Sequence, residues 1–151
     1  MTGINEDLIW KVRFFILQYF VSTTRPPEVE ETAAHFQTSL KSAKTAYQEL
    51  HRRDAIYLEA GTDTIRMAFP FSAVPTPHRV QAQGKSYWAN CAWDALAIPA
   101  AMHCEADIET SFADSQLPVF LKVRDGRIVH HGECVHFLLP FQRWYDDLAY
   151  T

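Results

Sequence analysis

The spacing of apolar residues changes part-way along the chain, and this change restricts the possible folds most strongly. In the first segment Leu8, Val12 and Ile16 recur at the spacing of one helix face. Later, the stretch "AIYLEAGTDTIRMAF" alternates apolar and polar residues on both sides of a Gly-Thr-Asp turn, which is typical of a β-hairpin. Helices first and strands afterwards predict an α+β fold.

Three helices are predicted before the hairpin. The first begins after Asn5, where two acids favour a helix N-terminus, and ends near Thr23, because "TTRPP" cannot continue a helix. The second is expected to hold Pro27 in its first turn, and Ser39 is expected to cap the third. Three short helices and a hairpin over residues 1–70 have the order of a winged-helix lobe.

A winged-helix lobe has two possible roles, and the charge of residues 1–70 distinguishes between them. DNA binding would use the basic residues on or near the third helix, which are Lys41, Lys44, Arg52 and Arg53. Residues 1–70 hold eight Lys or Arg and nine Asp or Glu, a formal charge of about −1, whereas a DNA-binding domain usually has a basic face. The charge favours a structural lobe and argues against nucleic acid as a partner.

The remainder of the chain is predicted to form a connector and a second lobe. The stretch from Pro70 to Val80 holds three prolines in eleven residues, so residues 71–82 are expected to be an extended connector. Residues 83–151 contain a helical pattern from Tyr87 to Met102, followed by several short strand-like segments, of which "ECVHFLLP" is the last. The second lobe is therefore predicted to be a small α+β unit of one helix and a β-sheet.

Composition excludes several classes of protein. The chain has three cysteines, Cys91, Cys104 and Cys134, without a CxxC spacing, so a disulfide framework or structural zinc site is not expected. The apolar stretches are too short to span a membrane, and the N-terminus does not resemble a signal peptide. These features predict a cytoplasmic protein, and the net charge of −4 gives no support for general nucleic-acid binding.

Cys91 and Asp94 are the residues most suited to chemistry. They are three positions apart on the predicted helix, so their side chains are neighbours on the helix surface. If the helix begins near Trp88 or Ala89, its free N–H groups would lower the pKa of the Cys91 thiol, while apolar neighbours would raise that of Asp94. The alternative is a small buried cysteine and an acid that interacts with the helix dipole.

The segment "YWANCAWDALAIPA" resembles the active-site segment of the organomercurial (alkylmercury) lyases, which follows the pattern W-x-x-C-A-x-D-x-L-x-x-P-A. The layout of the whole chain is also similar to that family. The positions that match the pattern are Trp88, Cys91, Ala92, Asp94, Leu96, Pro99 and Ala100.

The resemblance implies a protein that cleaves carbon–mercury bonds by protonolysis and releases hydrocarbon and Hg(II). Cys91 would be the first thiol that takes up mercury, and Asp94 would be the acid that moves the proton. Trp88 and Trp93 would line the pocket. Mercury would be held as substrate and product by Cys91 and Asp94 and removed by small thiols, and no organic cofactor is implied.

The family's second catalytic cysteine has no counterpart in this sequence. It would follow "LLPFQRWYDDLAYT", at about the position where the sequence ends at Thr151. Either the sequence ends short of that cysteine, or the protein lacks it and binds organomercurials without turnover. Cys104 and Cys134 are not expected to replace it. The competing hypothesis is a winged-helix regulator or sensor that binds a soft-metal ligand through Cys91.

Overall fold

The computed structural model describes residues 6–129, 132–137 and 139–146. The chain divides into two compact units, Met1–Phe69 and Pro70–Thr151. Helices dominate the first unit and strands dominate the second, as the change in apolar spacing predicts. The prediction of an α+β fold is confirmed.

The first unit contains the three predicted helices and the hairpin. Its elements are α1 (Glu6–Thr23), α2 (Val29–His35), α3 (Leu40–Arg52), β1 (Tyr57–Leu58) and β2 (Ile65–Ala68), and the two strands are antiparallel. Ser39 caps α3 by accepting a hydrogen bond from the Ser42 backbone N–H at 3.1 Å, as predicted. Pro27 lies outside α2, however, because Glu28 occupies the N-cap position.

The core of the first unit is apolar and contains one buried hydroxyl pair. The Tyr47 hydroxyl donates to the Pro27 carbonyl oxygen at 3.2 Å and lies 2.6 Å from the Thr32 hydroxyl oxygen. Burial raises the pKa of Tyr47 to about 12. These bonds satisfy the polar atoms that the packing of α2 against α3 removes from water. The largest fully buried apolar side chains of this unit are Phe20, Ile9, Ile16, Leu50, Ile65 and Val12.

In the part of the chain that the structure describes, the second unit contains six strands of an antiparallel sheet, one α-helix and one 3₁₀ helix. Its elements are β3 (Phe71–Ser72), β4 (Arg79–Ala82), β5 (Lys85–Ala89), α4 (Ala92–Met102), β6 (Ala106–Ser111), β7 (Pro118–Arg124), β8 (Arg127–Val129) and a 3₁₀ helix (Phe141–Asp146). The strands lie in the order β3-β5-β4-β6-β7-β8. Each neighbouring pair is antiparallel.

Residues 71–82, which the prolines indicate as a connector, contribute two strands to this sheet. β4 lies between β5 and β6, and Val80 pairs with Tyr87 on one side and Ile108 on the other. Pro75 and Pro77 fall between β3 and β4, where no ladder hydrogen bond needs their missing N–H groups. The proline content therefore marks a loop within the sheet and not a linker between lobes.

One face of the sheet is buried and the other is exposed. Val80, Tyr87 and Ile108 are at most 2% exposed, whereas Gln81, Glu109 and Lys122 on the opposite face are exposed. α4 contacts β4, β5 and β6 and contributes its own buried side chains, including Ala95 and Ile98. The helix therefore covers the buried face.

Two boundaries in the second unit differ from the prediction. β5 extends to Ala89, because Trp88 pairs with Arg79 and Ser72, so α4 begins at Ala92 and not near Trp88. The predicted strand "ECVHFLLP" is also wrong where it is described: residues 133–137 have no regular secondary structure, and their neighbour Gly132 has a φ of +103°. The apolar residues of this segment do not alternate with polar residues along its whole length, as they would in a strand with one buried face.

Within the described residues, no helix has both the length and the apolar character that crossing a membrane requires.

Candidate functional site

Cys91 occupies the N-cap of α4. Its backbone is extended, with φ −145° and ψ 177°, and its carbonyl oxygen accepts the Ala95 N–H at 3.0 Å. The Sγ atom accepts a hydrogen bond from the Asp94 backbone N–H at 3.5 Å, and the Trp93 N–H also faces the sulfur. The sulfur therefore lies over the positive end of the helix, where N–H groups have no partner within the helix.

Asp94 completes the arrangement from the third position of the helix. Its carboxylate accepts backbone hydrogen bonds from Cys91 and Asn90. The Cys91 side chain thus bonds the Asp94 backbone, and the Asp94 side chain bonds the Cys91 backbone. This is the geometry of a capping box, with Cys in place of Ser or Thr and Asp in place of Glu. The cap explains why both polar groups meet at one end of the helix.

The two side chains also bond directly to each other. The Cys91 thiol donates a hydrogen bond to the Asp94 carboxylate, which lowers the pKa of Asp94 part of the way. Burial acts in the opposite direction and prevails, because the Asp94 side chain is only 6% exposed, so its pKa is raised to about 6. The rise that apolar neighbours predict for Asp94 is confirmed.

The pKa of Cys91 differs from the prediction. Burial raises the pKa of the thiol to about 11, and the negative charge of Asp94 adds to the rise. The hydrogen bonds from the helix N-terminus lower it, but they do not offset these two effects. At neutral pH the proton therefore resides on sulfur and the carboxyl group is mostly ionised.

The other predicted pocket residues and cysteines lie in different places. Trp93 is on the first turn of α4 and 48% exposed, beside the thiol. Trp88 does not join it, since it alternates with Tyr87 on β5 and lies on the face opposite α4. Cys104 follows the left-handed C-cap His103 at the other end of α4, about 20 Å along the helix from Cys91. Cys134 is exposed in the segment of residues 132–137.

The family model of the alkylmercury lyases, MerB, matches residues 71–150, which are the second unit and more than half of the chain. The chain belongs to the alkylmercury lyase family. No curated protein matches it.

A solved structure described as "Crystal structure of the mercury-bound form of MerB2" is similar in fold, with a TM-score of 0.67 at 20% sequence identity. The match covers 85% of this chain and 61% of that one, so this chain spans about three fifths of its length. At this identity the similarity concerns the fold and does not assign residues.

Two aromatic residues that contact or lie close to Trp93 are absent from the sequence-based prediction. Phe137 lies with its ring centroid 5.9 Å from that of Trp93, in an edge-to-face arrangement, and Trp144 stacks on Phe137 at 4.7 Å. The stretch "FLLPFQRWY" is rich in aromatic residues, which is a signal in retrospect. The prediction of a strand over residues 133–140 gave no indication of this contact, because a strand in the sheet would not be expected to bring Phe137 to α4.

The start of α4 offers one sulfur, from Cys91, and one carboxyl group, from Asp94. Among residues 6–129, 132–137 and 139–146, no group of three or more His, Cys, Asp or Glu side chains is placed to hold a metal ion. A half-buried thiol suits a soft metal that needs few ligands, and the adjacent acid has a pKa close to neutrality. The arrangement can therefore capture a soft metal and transfer one proton.

The basic residues considered for DNA binding are mostly paired with acids. Lys44 forms an ion pair with Asp63 at 3.1 Å, and Arg52 and Arg53 both contact Glu49. These pairs neutralise positive charge that a DNA-binding surface would present to phosphates. The hypothesis of a winged-helix regulator stays a prediction, and these contacts give it no support.

Proposed function

We propose that this protein cleaves carbon–mercury bonds by protonolysis, with Cys91 as the mercury-binding thiol and Asp94 as the proton-transferring group. The observation that carries the proposal is the hydrogen bond from the Cys91 thiol to the buried Asp94 carboxylate. It supplies a soft ligand, a proton and a base for that proton at one place. Membership of the alkylmercury lyase family supports the same assignment.

The first step is capture of the organomercurial. A sulfur–mercury bond forms at Cys91 Sγ, the bond from mercury to its departing anionic ligand breaks, and the thiol proton passes to the Asp94 carboxylate along the existing hydrogen bond. Because Asp94 is ionised above about pH 6 and the thiol is protonated below about pH 11, the pair is ready for this transfer at neutral pH. Bond formation then removes the negative charge that burial disfavours on Asp94.

The second step is cleavage of the carbon–mercury bond. The protonated Asp94 gives its proton to the carbon, the electron pair of the carbon–mercury bond becomes the new carbon–hydrogen bond, and hydrocarbon leaves. A second thiolate binds mercury as the carbon departs, so that mercury has two sulfur ligands and Asp94 is again a carboxylate. Small thiols in solution supply this ligand and later remove Hg(II).

The direct test is incubation with phenylmercury and an excess of a small thiol, with benzene release as the measurement. The wild-type chain is expected to release benzene, and Cys91→Ser is expected to abolish release because a hydroxyl is a poor ligand for a soft metal. Cys104→Ser is the matched control, since Cys104 is also half-buried but lies at the other end of α4. It should retain the wild-type rate.

Two results would reject the proposal. One is no benzene from the wild-type protein when thiol is in excess. The other is undiminished release by Cys91→Ser in a folded protein, which would show that another group captures mercury.

A further inference from the structure

Trp93, Phe137 and Trp144 form a continuous group of rings beside Cys91, which is called here the aromatic cluster. The Trp93 and Phe137 rings meet edge to face at 5.9 Å, and Phe137 and Trp144 are stacked at 4.7 Å with 27° between their planes. The Trp144 indole N–H donates to the Leu139 carbonyl oxygen at 2.9 Å, which orients that ring. The cluster is therefore held from two segments of the second unit.

The aromatic cluster begins at the residue next to the reactive pair. The backbone N–H groups of Trp93 and Asp94 both face the Cys91 sulfur. Successive helix positions point about 100° apart, so Asp94 enters the core while Trp93 stays 48% exposed. Trp93 is the second residue after Cys91, so among the three rings of the cluster its indole is the one nearest to that sulfur along the chain.

Part of the aromatic cluster remains exposed. Phe137 keeps 37% of its surface exposed although it contacts both indoles. Aromatic rings interact favourably edge to face or offset-stacked, and an alkyl group of equal size gains only burial. A planar ring is thus the ligand chemistry that fits this surface.

From these contacts we infer that the aromatic cluster binds the ring of an arylmercury substrate and makes the protein selective for aryl over alkyl groups of the same size. This inference rests on the proposed function, because it places the organic group by its mercury atom on Cys91. Trp93 is the principal contact, and Phe137 and Trp144 fix its position. One ring pair contributes a preference of about 2- to 10-fold.

The experiment compares phenylmercury with cyclohexylmercury, whose groups are similar in size but differ in aromaticity. The two bonds differ in intrinsic reactivity, so the informative quantity is the ratio of kcat/KM values for phenyl and cyclohexyl substrates in each variant, divided by the wild-type ratio. Trp93→Leu should lower this ratio about 2- to 10-fold. Trp93→Phe, which keeps a ring, should restore most of it.

Trp10→Leu is the matched control, because Trp10 is 47% exposed and lies on α1 of the other unit. It should leave the ratio unchanged. Equal losses for both substrates in Trp93→Leu, or no preference change in any variant, would overturn the inference and show that the cluster only packs the segment against α4.

Affinity gives a second readout that needs no turnover. Quenching of tryptophan fluorescence by phenylmercury and cyclohexylmercury reports capture at Cys91, and the same loss of aryl preference is expected in Trp93→Leu. If neither substrate releases hydrocarbon but the affinities differ as described, the proposed lyase activity fails and the aromatic site stands. If hydrocarbon is released without any aryl preference, the activity stands and the aromatic site is rejected.

Discussion

Two helices of this protein begin with the same local hydrogen bond, but the pKa values of their capping carboxyl groups are shifted in opposite directions. At the start of α2, the Glu31 carboxylate accepts the backbone N–H of Glu28 at 2.8 Å. At the start of α4, the Asp94 carboxylate accepts the backbone N–H of Cys91. In both, an acid at the third helical position reaches back to the residue before the helix.

The surroundings of the two acids differ. Arg25 binds both oxygens of Glu31, at 2.7 and 2.8 Å, and Tyr19 donates a further hydrogen bond, so the pKa of Glu31 falls to about 2. Asp94 is buried, and the hydrogen bonds from the Cys91 thiol and from the Cys91 and Asn90 backbone N–H groups offset that burial only in part, so its pKa rises to about 6.

The cap therefore determines where an acid lies, whereas neighbouring charges and burial determine whether that acid can carry a proton. A carboxylate held by a guanidinium keeps its negative charge and cannot carry a proton at neutral pH. A buried carboxylate that is bonded to a thiol and to backbone N–H groups, with no guanidinium beside it, can both accept and return a proton. Of these two helix starts, that of α4 has the electrostatics that the proposed proton transfer needs.

The largest expected effect is the loss of catalysis when the proton carrier is removed. Asp94→Asn should lower the rate of benzene release from phenylmercury by roughly 10²- to 10⁴-fold, the usual contribution of a general acid or base. Glu31→Gln is the matched control, because it makes the same change at the other helix start and should leave the rate unaltered. A fast Asp94→Asn enzyme would remove the functional contrast between the two helices.

Asp94→Asn is also expected to stabilise the fold, unlike Glu31→Gln at the start of α2. The rise in the pKa of Asp94 from 3.8 to about 6 corresponds to a cost of about 3 kcal/mol for the ionised carboxyl group in the folded state. Asparagine avoids that charge but loses a charge-assisted hydrogen bond, so at pH 7.5 the free energy of unfolding should rise by about 1–2 kcal/mol. Urea denaturation measures it, and a fall would mean that the carboxylate is better solvated than its burial indicates.

Much of the fold follows from local signals in the sequence. Helix limits at Thr23 and Ser39 and the hairpin around Gly61 depend on turn and cap residues that act over a few positions, and these predictions are confirmed. The role of β4 does not follow from such signals. It depends on pairing with residues far along the chain, while nearby Pro75 and Pro77 suggest a linker.

The residues of the candidate site could be predicted from the sequence, but the pKa of its thiol could not. The motif singles out Cys91 and Asp94, and burial of Asp94 follows from its apolar neighbours. The pKa of Cys91 was predicted in the wrong direction, because helix N-termini lower a thiol pKa only if burial and a nearby carboxylate do not outweigh them. Phe137 reaches Trp93 through tertiary packing, which local patterns do not encode.

The pH dependence of catalysis gives an intermediate test of the contrast. The free protein needs Asp94 ionised and Cys91 protonated, so kcat/KM for phenylmercury should increase through about pH 6 and then stay level to about pH 10. A decline above pH 6 would show that Asp94 must already carry its proton before mercury binds. Benzene release measured from pH 5 to 10 distinguishes the two profiles.

The smallest expected effect concerns stability on the two sides of the pH scale. The folded pKa of Asp94 is raised, so the stability that it contributes is present below about pH 4 and is lost as pH rises through 6. The folded pKa of Glu31 is lowered, so its contribution is present above about pH 4.5 and is lost as pH falls towards 2. Glu31→Gln should therefore reduce the free energy of unfolding at pH 7 by only about 0.5 kcal/mol, since exposed ion pairs are screened by water, and should flatten the acid side of the profile. Asp94→Asn should flatten the segment between pH 4 and 6. If both variants flatten the same segment, the two helix starts do not differ in the way their surroundings imply.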